Sequence, residues 1–408
     1  MNLTRRDFLK SGISAGAAGI VVPAVFAKGA LAATNDQVHN NRVLVVLQMG
    51  GGNDGLNMVV PLTDPAYASL RPKVGIKPAD ALPLTGTSDF GLNGSLVRTK
   101  AAFDAGQVSI VQGVGYPNPT YSHFQAMKVW QHADPSQNPS VDGWLAKFLS
   151  RQIPTSGQPL CACALGESAI PGELAASPQV PVSAINSASS YSFANSSLEA
   201  IAKQMYNSTP GPFGVLVDDN VQTMAAGVDA LAAARYTSTV SYIAPGATAA
   251  TNLAASFQLA AKIIATQPAV KILHLSMGSF DTHDDQQGRQ AKLLADFDFA
   301  VNTFMADLTA AGLSNRVALM TWSEFGRRAG ENLSLGTDHG SAGPVLLFGA
   351  PVAGGLAGQP CSLTSLDNGN LRYTTDFRSV YQSVIGDWLG GDPVAALGGS
   401  FPQLGLFR

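Results

Sequence analysis

Five short apolar runs, at residues 43–49, 108–113, 270–277, 317–322 and 345–348, are built mainly from Val, Ile, Leu and Met. Runs of this length bounded by turn residues read as strands buried on both faces, the kind that parallel sheets contain. Between them lie segments with helical spacing, at residues 122–132, 144–152, 217–235, 253–265, 288–311 and 377–389. Strand followed by helix, repeated along the chain, specifies an α/β fold in which a doubly wound, mostly parallel sheet is flanked by helices. The stretch at 168–212 is rich in Ser, Ala, Pro and Asn and shows little periodicity, so it reads as an excursion beside that sheet. Residues 34–408 then form a single α/β domain.

The N-terminus carries a different signal. Thr4-Arg5-Arg6-Asp7-Phe8-Leu9-Lys10 precedes a weakly apolar stretch of small residues, 11–27, without an acidic group. That is the form of a twin-arginine export signal, which predicts handling by the Tat translocase, cleavage after Ala27 or near Ala33, and a periplasmic or secreted protein. Removing residues 1–33, with Arg5, Arg6, Lys10, Lys28 and Asp7, takes the 25 basic and 28 acidic residues to 21 and 27, a net charge of −6. Such a balance gives no electrostatic basis for binding nucleic acid. No later run is apolar over the roughly 20 residues that a membrane-spanning helix needs, so no transmembrane anchor is expected in the mature chain. Cys161 and Cys163 alternate in Pro159-Leu160-Cys161-Ala162-Cys163, which predicts a strand with both thiols on one face of the core, while Cys361 reads as a lone thiol.

In an open α/β sheet, ligands sit beyond the carboxyl ends of the strands, so the residues just after each apolar run carry the functional reading. They are markedly polar. Asp54 follows the first run inside Gly50-Gly51-Gly52-Asn53-Asp54-Gly55; Asp281 and His283 follow the run at 270–277; Glu324 and Arg327 follow the run at 317–322. Asp338 and His339 stand just before the run at 345–348. Carboxylates and imidazoles gathered at one sheet edge repel and desolvate one another unless a cation joins them. The mixed oxygen and nitrogen donors suit a divalent metal, with Zn²⁺, Mn²⁺, Mg²⁺ and Ca²⁺ all open, and the glycines would let Asp54 and nearby amides approach a metal-bound anionic ligand. Structural readings stand beside these. An Asp after a strand also serves as a helix cap, His274 inside its apolar run reads as a core histidine, and Arg327 either binds a substrate anion or pairs with a carboxylate.

The motifs at 45–61, 121–131, 280–283, 323–327, 336–340 and 374–390 resemble, in this order, those of the DUF1501 family of exported bacterial proteins. That family is similar in turn to the alkaline phosphatase and sulfatase superfamily, whose metal-dependent members cleave phosphate or sulfate esters. The resemblance implies an alkaline phosphatase-like fold and an anionic ester substrate. It places Asp54 as the first-strand metal ligand, Asp281 and His283 as the Asp/His pair after a central strand, and His339 as the late histidine. Ser122 falls where the superfamily carries its nucleophile, with Thr120 second. His123 and Asp338 take supporting or acid–base roles.

Two departures accompany the resemblance. Glu324-Phe325 stands where an Asp-His pair is common, and the Asp281-to-His283 spacing is shorter than in phosphatases. A single metal, or a second one completed by Asp338, then stands beside the full two-metal arrangement as an alternative. No Cys lies near Ser122, so a formylglycine sulfatase motif is lacking. The expectation is an exported metal-dependent hydrolase of a phosphate or sulfate ester. The alternative is a non-hydrolytic periplasmic metal-binding or assembly protein acting with a partner of the DUF1800 family.

Overall fold

The computed structural model describes residues 41–136, 142–152, 158–175, 182–211 and 214–408, so the expected export signal at 1–33 lies outside the described residues. A nine-stranded sheet organises them. From one edge the strands run Gly355–Gly358, Val108–Gly115, Gly343–Phe348, Val317–Trp322, Val43–Met49, Ile272–Met277, Ala162–Leu165 and Val182–Ile185, and the short Thr375–Asp376 strand also pairs with Val108–Gly115. All five apolar runs supply strands to it. Val43–Met49 lies at its centre, parallel to both neighbours, with Leu44 opposite Ile272 on one side and Ala318 on the other.

One strand corrects the sequence reading. Gly343–Phe348 runs antiparallel to both Val317–Trp322 and Val108–Gly115, although the run at 345–348 was expected to be parallel. The link from Trp322 to Gly343 contains no helix, and a connection without a crossover helix returns the chain in the opposite direction. The consequence is functional. Residues that precede this strand arrive at the same sheet edge where the parallel strands end.

The central strand explains why the sheet is so firmly held. Val43, Val45, Leu47 and Met49 face one half of the core and Leu44 and Val46 face the other, all almost wholly buried. At roughly 1.5–3 kcal/mol for each aliphatic side chain taken out of water, this strand is a rigid base for the loop that follows it. Helices Asn252–Thr266 and Gln286–Ala310 cover the first face with Phe257, Ile264, Phe297 and Phe304, spaced so that one stripe of each helix meets the sheet. Helices His123–His132 and Trp144–Gln152 cover the second with Trp130, Trp144 and Phe148.

Two regions lack a counterpart in the apolar pattern. The stretch at 168–212 contributes the edge strand Val182–Ile185 and the helix Ser196–Met205. Between the first and second long strands a separate antiparallel sheet forms from Val59–Pro61, Phe90–Asn93 and Ala81–Pro83. Its strands are short and two of them end in proline, so no run long enough to register precedes the fold. Cys161 and Cys163 are both buried but pack in different halves of the core, because the strand begins only at Ala162. No helix among the described residues is long and apolar enough to cross a membrane.

Candidate metal centre

Val43–Met49, Ile272–Met277 and Val317–Trp322 end side by side, and their loops meet the first turn of helix His123–His132 and the approach to Gly343–Phe348. Four side chains converge there. Asp281 Oδ1 lies 3.1 Å from His283 Nε2 and 3.1 Å from His339 Nε2, and those two nitrogens are 3.0 Å apart. His123 Nε2 approaches Asp281 Oδ2 at 3.6 Å. Donor atoms of His123, Asp281 and His339 all fall within 4.8 Å of one another.

Each imidazole is held from behind. His123 Nδ1 sits 2.7 Å from Glu324 Oε1, His283 Nδ1 sits 3.2 Å from Asp338 Oδ1, and His339 Nδ1 sits 2.8 Å from the Tyr121 carbonyl. These partners are acceptors that can take an Nδ1 proton, and they orient each ring so that its Nε2 turns toward Asp281. Three imidazole nitrogens and a carboxylate gathered this closely form a donor set that a divalent cation would join. An ion bound at about 2.0–2.2 Å from nitrogen and oxygen donors fits just above a triangle of this size. Of the four ions open at the level of sequence, the nitrogen-rich set suits Zn²⁺ or Mn²⁺ better than Mg²⁺ or Ca²⁺, which favour oxygen.

The local electrostatics agree. Burial alone would raise the Asp281 carboxyl, but hydrogen bonds from Arg327 and His339 outweigh it and hold the group at about 2, so it is an anion. The Asn332 amide, with His283, holds Asp338 below the usual carboxylate range. The loop pays for its shape in backbone strain: Ser279 and Asp285, which bracket the Asp281 to His283 segment, adopt φ of 76° and 39° without being glycine.

Several residues singled out in the sequence take other positions. Asp54 is only 1% exposed and lies outside the cluster: its Oδ2 receives Arg71 and Gln286, and its Oδ1 caps helix Gly55–Met58 by accepting the Leu56 N–H at 3.1 Å. Both oxygens are spent, so the expected first-strand ligand is instead a buried ion pair beneath the glycine-rich loop. Glu324 and Asp338, expected among the ligands, stand behind the cluster, with one carboxylate oxygen of each against His123 Nδ1 and His283 Nδ1. His123, given a supporting role in the sequence reading, points its Nε2 into the cluster. Arg327 is buried, and its guanidinium donates to the carbonyls of Gly52, Thr337, Phe280 and Gly51 and to Asp281 Oδ1 at 2.7 Å. Of the two readings offered by the sequence, the geometry matches pairing with a carboxylate, and these bonds tie the loops of the site together. Ser122 is the exposed N-cap of helix His123–His132, yet its side chain makes no cap hydrogen bond.

The glycines also receive something other than a ligand. Gly51 has φ of +114°, and a Cβ there would lie 2.5 Å from the Asp281 amide nitrogen. Gly336 admits His283 in the same way, since its Cβ would lie 2.1 Å from the His283 carbonyl carbon. These close approaches seat the ligand-bearing loops. Two contributors left no mark in the sequence: the Tyr121 carbonyl, because a backbone acceptor has no side-chain signature, and Arg71, which stands in a segment without periodic pattern.

No curated protein matches the chain. Among solved structures it is similar to alkaline phosphatase from the Antarctic bacterium TAB5, at 10% identity and a TM-score of 0.29. A histidine-to-glutamate variant of the TAB5 alkaline phosphatase with Mg bound in its M3 site gives 12% and 0.31, and a histidine-to-aspartate variant 12% and 0.30. Each match covers 76% of this chain and 93% of the other. Over residues 221–364, the stretch that holds Asp281, His283, Glu324, Arg327, Asp338 and His339, the chain matches the DUF1501 family, described as a protein of unknown function.

Proposed function

We propose that this protein is an exported metal-dependent hydrolase of a phosphate or sulfate ester, built on one divalent centre held by His123, Asp281, His283 and His339. The observation that carries the reading is the set of three imidazoles, each held at Nδ1 by an oxygen acceptor and each presenting Nε2 to one carboxylate. The bound ion would supply a Lewis acid for an ester oxygen. The chain's own residues supply the rest. Arg327 fixes Asp281, while the N-terminus of helix His123–His132 offers backbone N–H groups and a favourable dipole to an anionic group. Ser122 is the candidate nucleophile, because its hydroxyl is exposed and is not used in capping the helix. Export through the twin-arginine route, supported by Arg5-Arg6 and the small-residue stretch after them, would bring the site to the periplasm or beyond.

The test uses purified mature protein, metal analysis and a panel of phosphate and sulfate esters. Bound Zn²⁺ or Mn²⁺ near one per chain, lost in Asp281→Ala and His339→Ala but kept in His132→Ala, supports the centre. Ester turnover that needs the ion and disappears in Ser122→Ala and Ser122→Asp supports the hydrolase. A full complement of metal with no turnover of any ester would replace it with the non-hydrolytic reading, and equal metal in all three variants would dismiss the centre.

A further inference from the structure

An open pocket elsewhere on the molecule shares no residue with the candidate metal centre. This pocket, of about 400 Å³, sits where the small three-stranded sheet meets the main one, with Leu56, Val59, Phe90, Pro344, Leu363 and Leu371 among its walls. Its size falls within the roughly 300–1,000 Å³ common for small-molecule sites. The walls are apolar, but the second long strand places Gln112 in the lining. That residue is only 7% exposed, and its side-chain amide makes no hydrogen bond among the described residues. Its amide is not among the fully buried polar atoms left without a partner, so it keeps access to the cavity and is free to pair with a group that enters it.

The charge around the pocket narrows that partner. Asp64 and Asp89 line it, each with one carboxylate oxygen engaged locally, by the Ala66 N–H at 2.9 Å and the Thr63 hydroxyl at 3.1 Å. No Lys, Arg or His lines it. An anion would therefore be repelled without compensation. The half-buried thiol of Cys361 completes one wall; burial pushes it up to about 11, so it stays protonated and acts as apolar surface.

We propose that this pocket binds a neutral, mostly apolar small molecule whose carbonyl or amide group pairs with Gln112. Nile red, a neutral planar dye with a ring carbonyl, is the probe, used on the full mature protein. The expected result is saturable fluorescence that weakens about tenfold in Gln112→Leu, as loss of one hydrogen bond worth about 1.4 kcal/mol would give. Filling the pocket with Cys361→Trp should abolish binding while leaving bound metal unchanged. In the wild type, saturating dye should slow alkylation of Cys361 by iodoacetamide, read by mass spectrometry, and this arm stands even if Cys361→Trp fails to fold. Absence of saturable binding, equal affinity in Gln112→Leu, or alkylation at an unchanged rate would each overturn the proposal.

Discussion

Glu324 shows how one buried residue can govern a site without touching its centre. It is 1% exposed, and its Oε1 accepts both His123 Nδ1 and the Gly51 N–H, at 2.7 and 2.8 Å. The same oxygen thus fixes an imidazole and ties the glycine-rich loop to the loop after Val317–Trp322. Its Oε2 lies 3.3 Å from the Ser323 hydroxyl. Glu324→Leu removes the acceptor and leaves His123 free to rotate and the Gly51 N–H unpaired. Losing an acceptor of this kind commonly costs about 10–100-fold in metal affinity. Glu324→Gln keeps a carbonyl oxygen at the same place and should retain most of the affinity. Competition titration with a chelator separates the two, and equal affinity in Glu324→Leu and wild type would show that the residue has no positioning role.

At the scale of elements, the site depends on loops that pass closer than a side chain allows. Gly51→Ala must accept both φ of +114° and a Cβ 2.5 Å from the Asp281 amide. We expect a cost of about 1–3 kcal/mol, from an L-residue held in this conformation, together with weaker metal binding as the Asp281 loop is pushed outward. Gly278→Ala is the matched comparison: it lies in the same loop system, nothing stands within 4 Å of its Cβ, and its φ needs no glycine. Denaturant melts and metal titration on both variants check the difference. This contrast also explains what sequence could and could not show. The apolar runs and helical stripes were legible because burial on both faces of a strand, or on one stripe of a helix, leaves a periodic mark. Asp281, His283 and His339 were legible because they flank those runs. The roles of Asp54 and His123 were not, since proximity to a strand end says nothing about which way a side chain turns, and it is the pairing of Asp54 with Arg71 and of His123 with Glu324 that decides it.

Across the whole molecule, the second face of the sheet carries a charged group that the candidate site does not use. His274 is fully buried in Ile272–Met277, with Glu167 Oε1 3.1 Å from Nδ1 and Glu173 Oε1 3.0 Å from Nε2. These contacts are ion pairs by distance but poorly aligned as hydrogen bonds, so charge rather than bond direction holds them. Burial alone would lower the His274 pKa; the Glu173 and Glu167 carboxylates outweigh it and raise it from 6.5 to about 10. Because the folded value is raised, the stability it contributes is fully present below about 6.5 and is lost as pH rises through about 10. Glu167 follows the Ala162–Leu165 strand and Glu173 belongs to the stretch before Val182–Ile185, so the triad ties this edge of the sheet to the central strands. Thermal melts should therefore fall between about pH 6.5 and about pH 10 in the wild type. His274→Gln cannot titrate there, so its melting temperature should start lower, by an amount matching the roughly 3–5 kcal/mol lost when one partner of a buried ion pair is removed, and change less over the same range. Parallel curves for the two proteins would mean that His274 is buried neutral and that the alkaline edge of stability is set elsewhere.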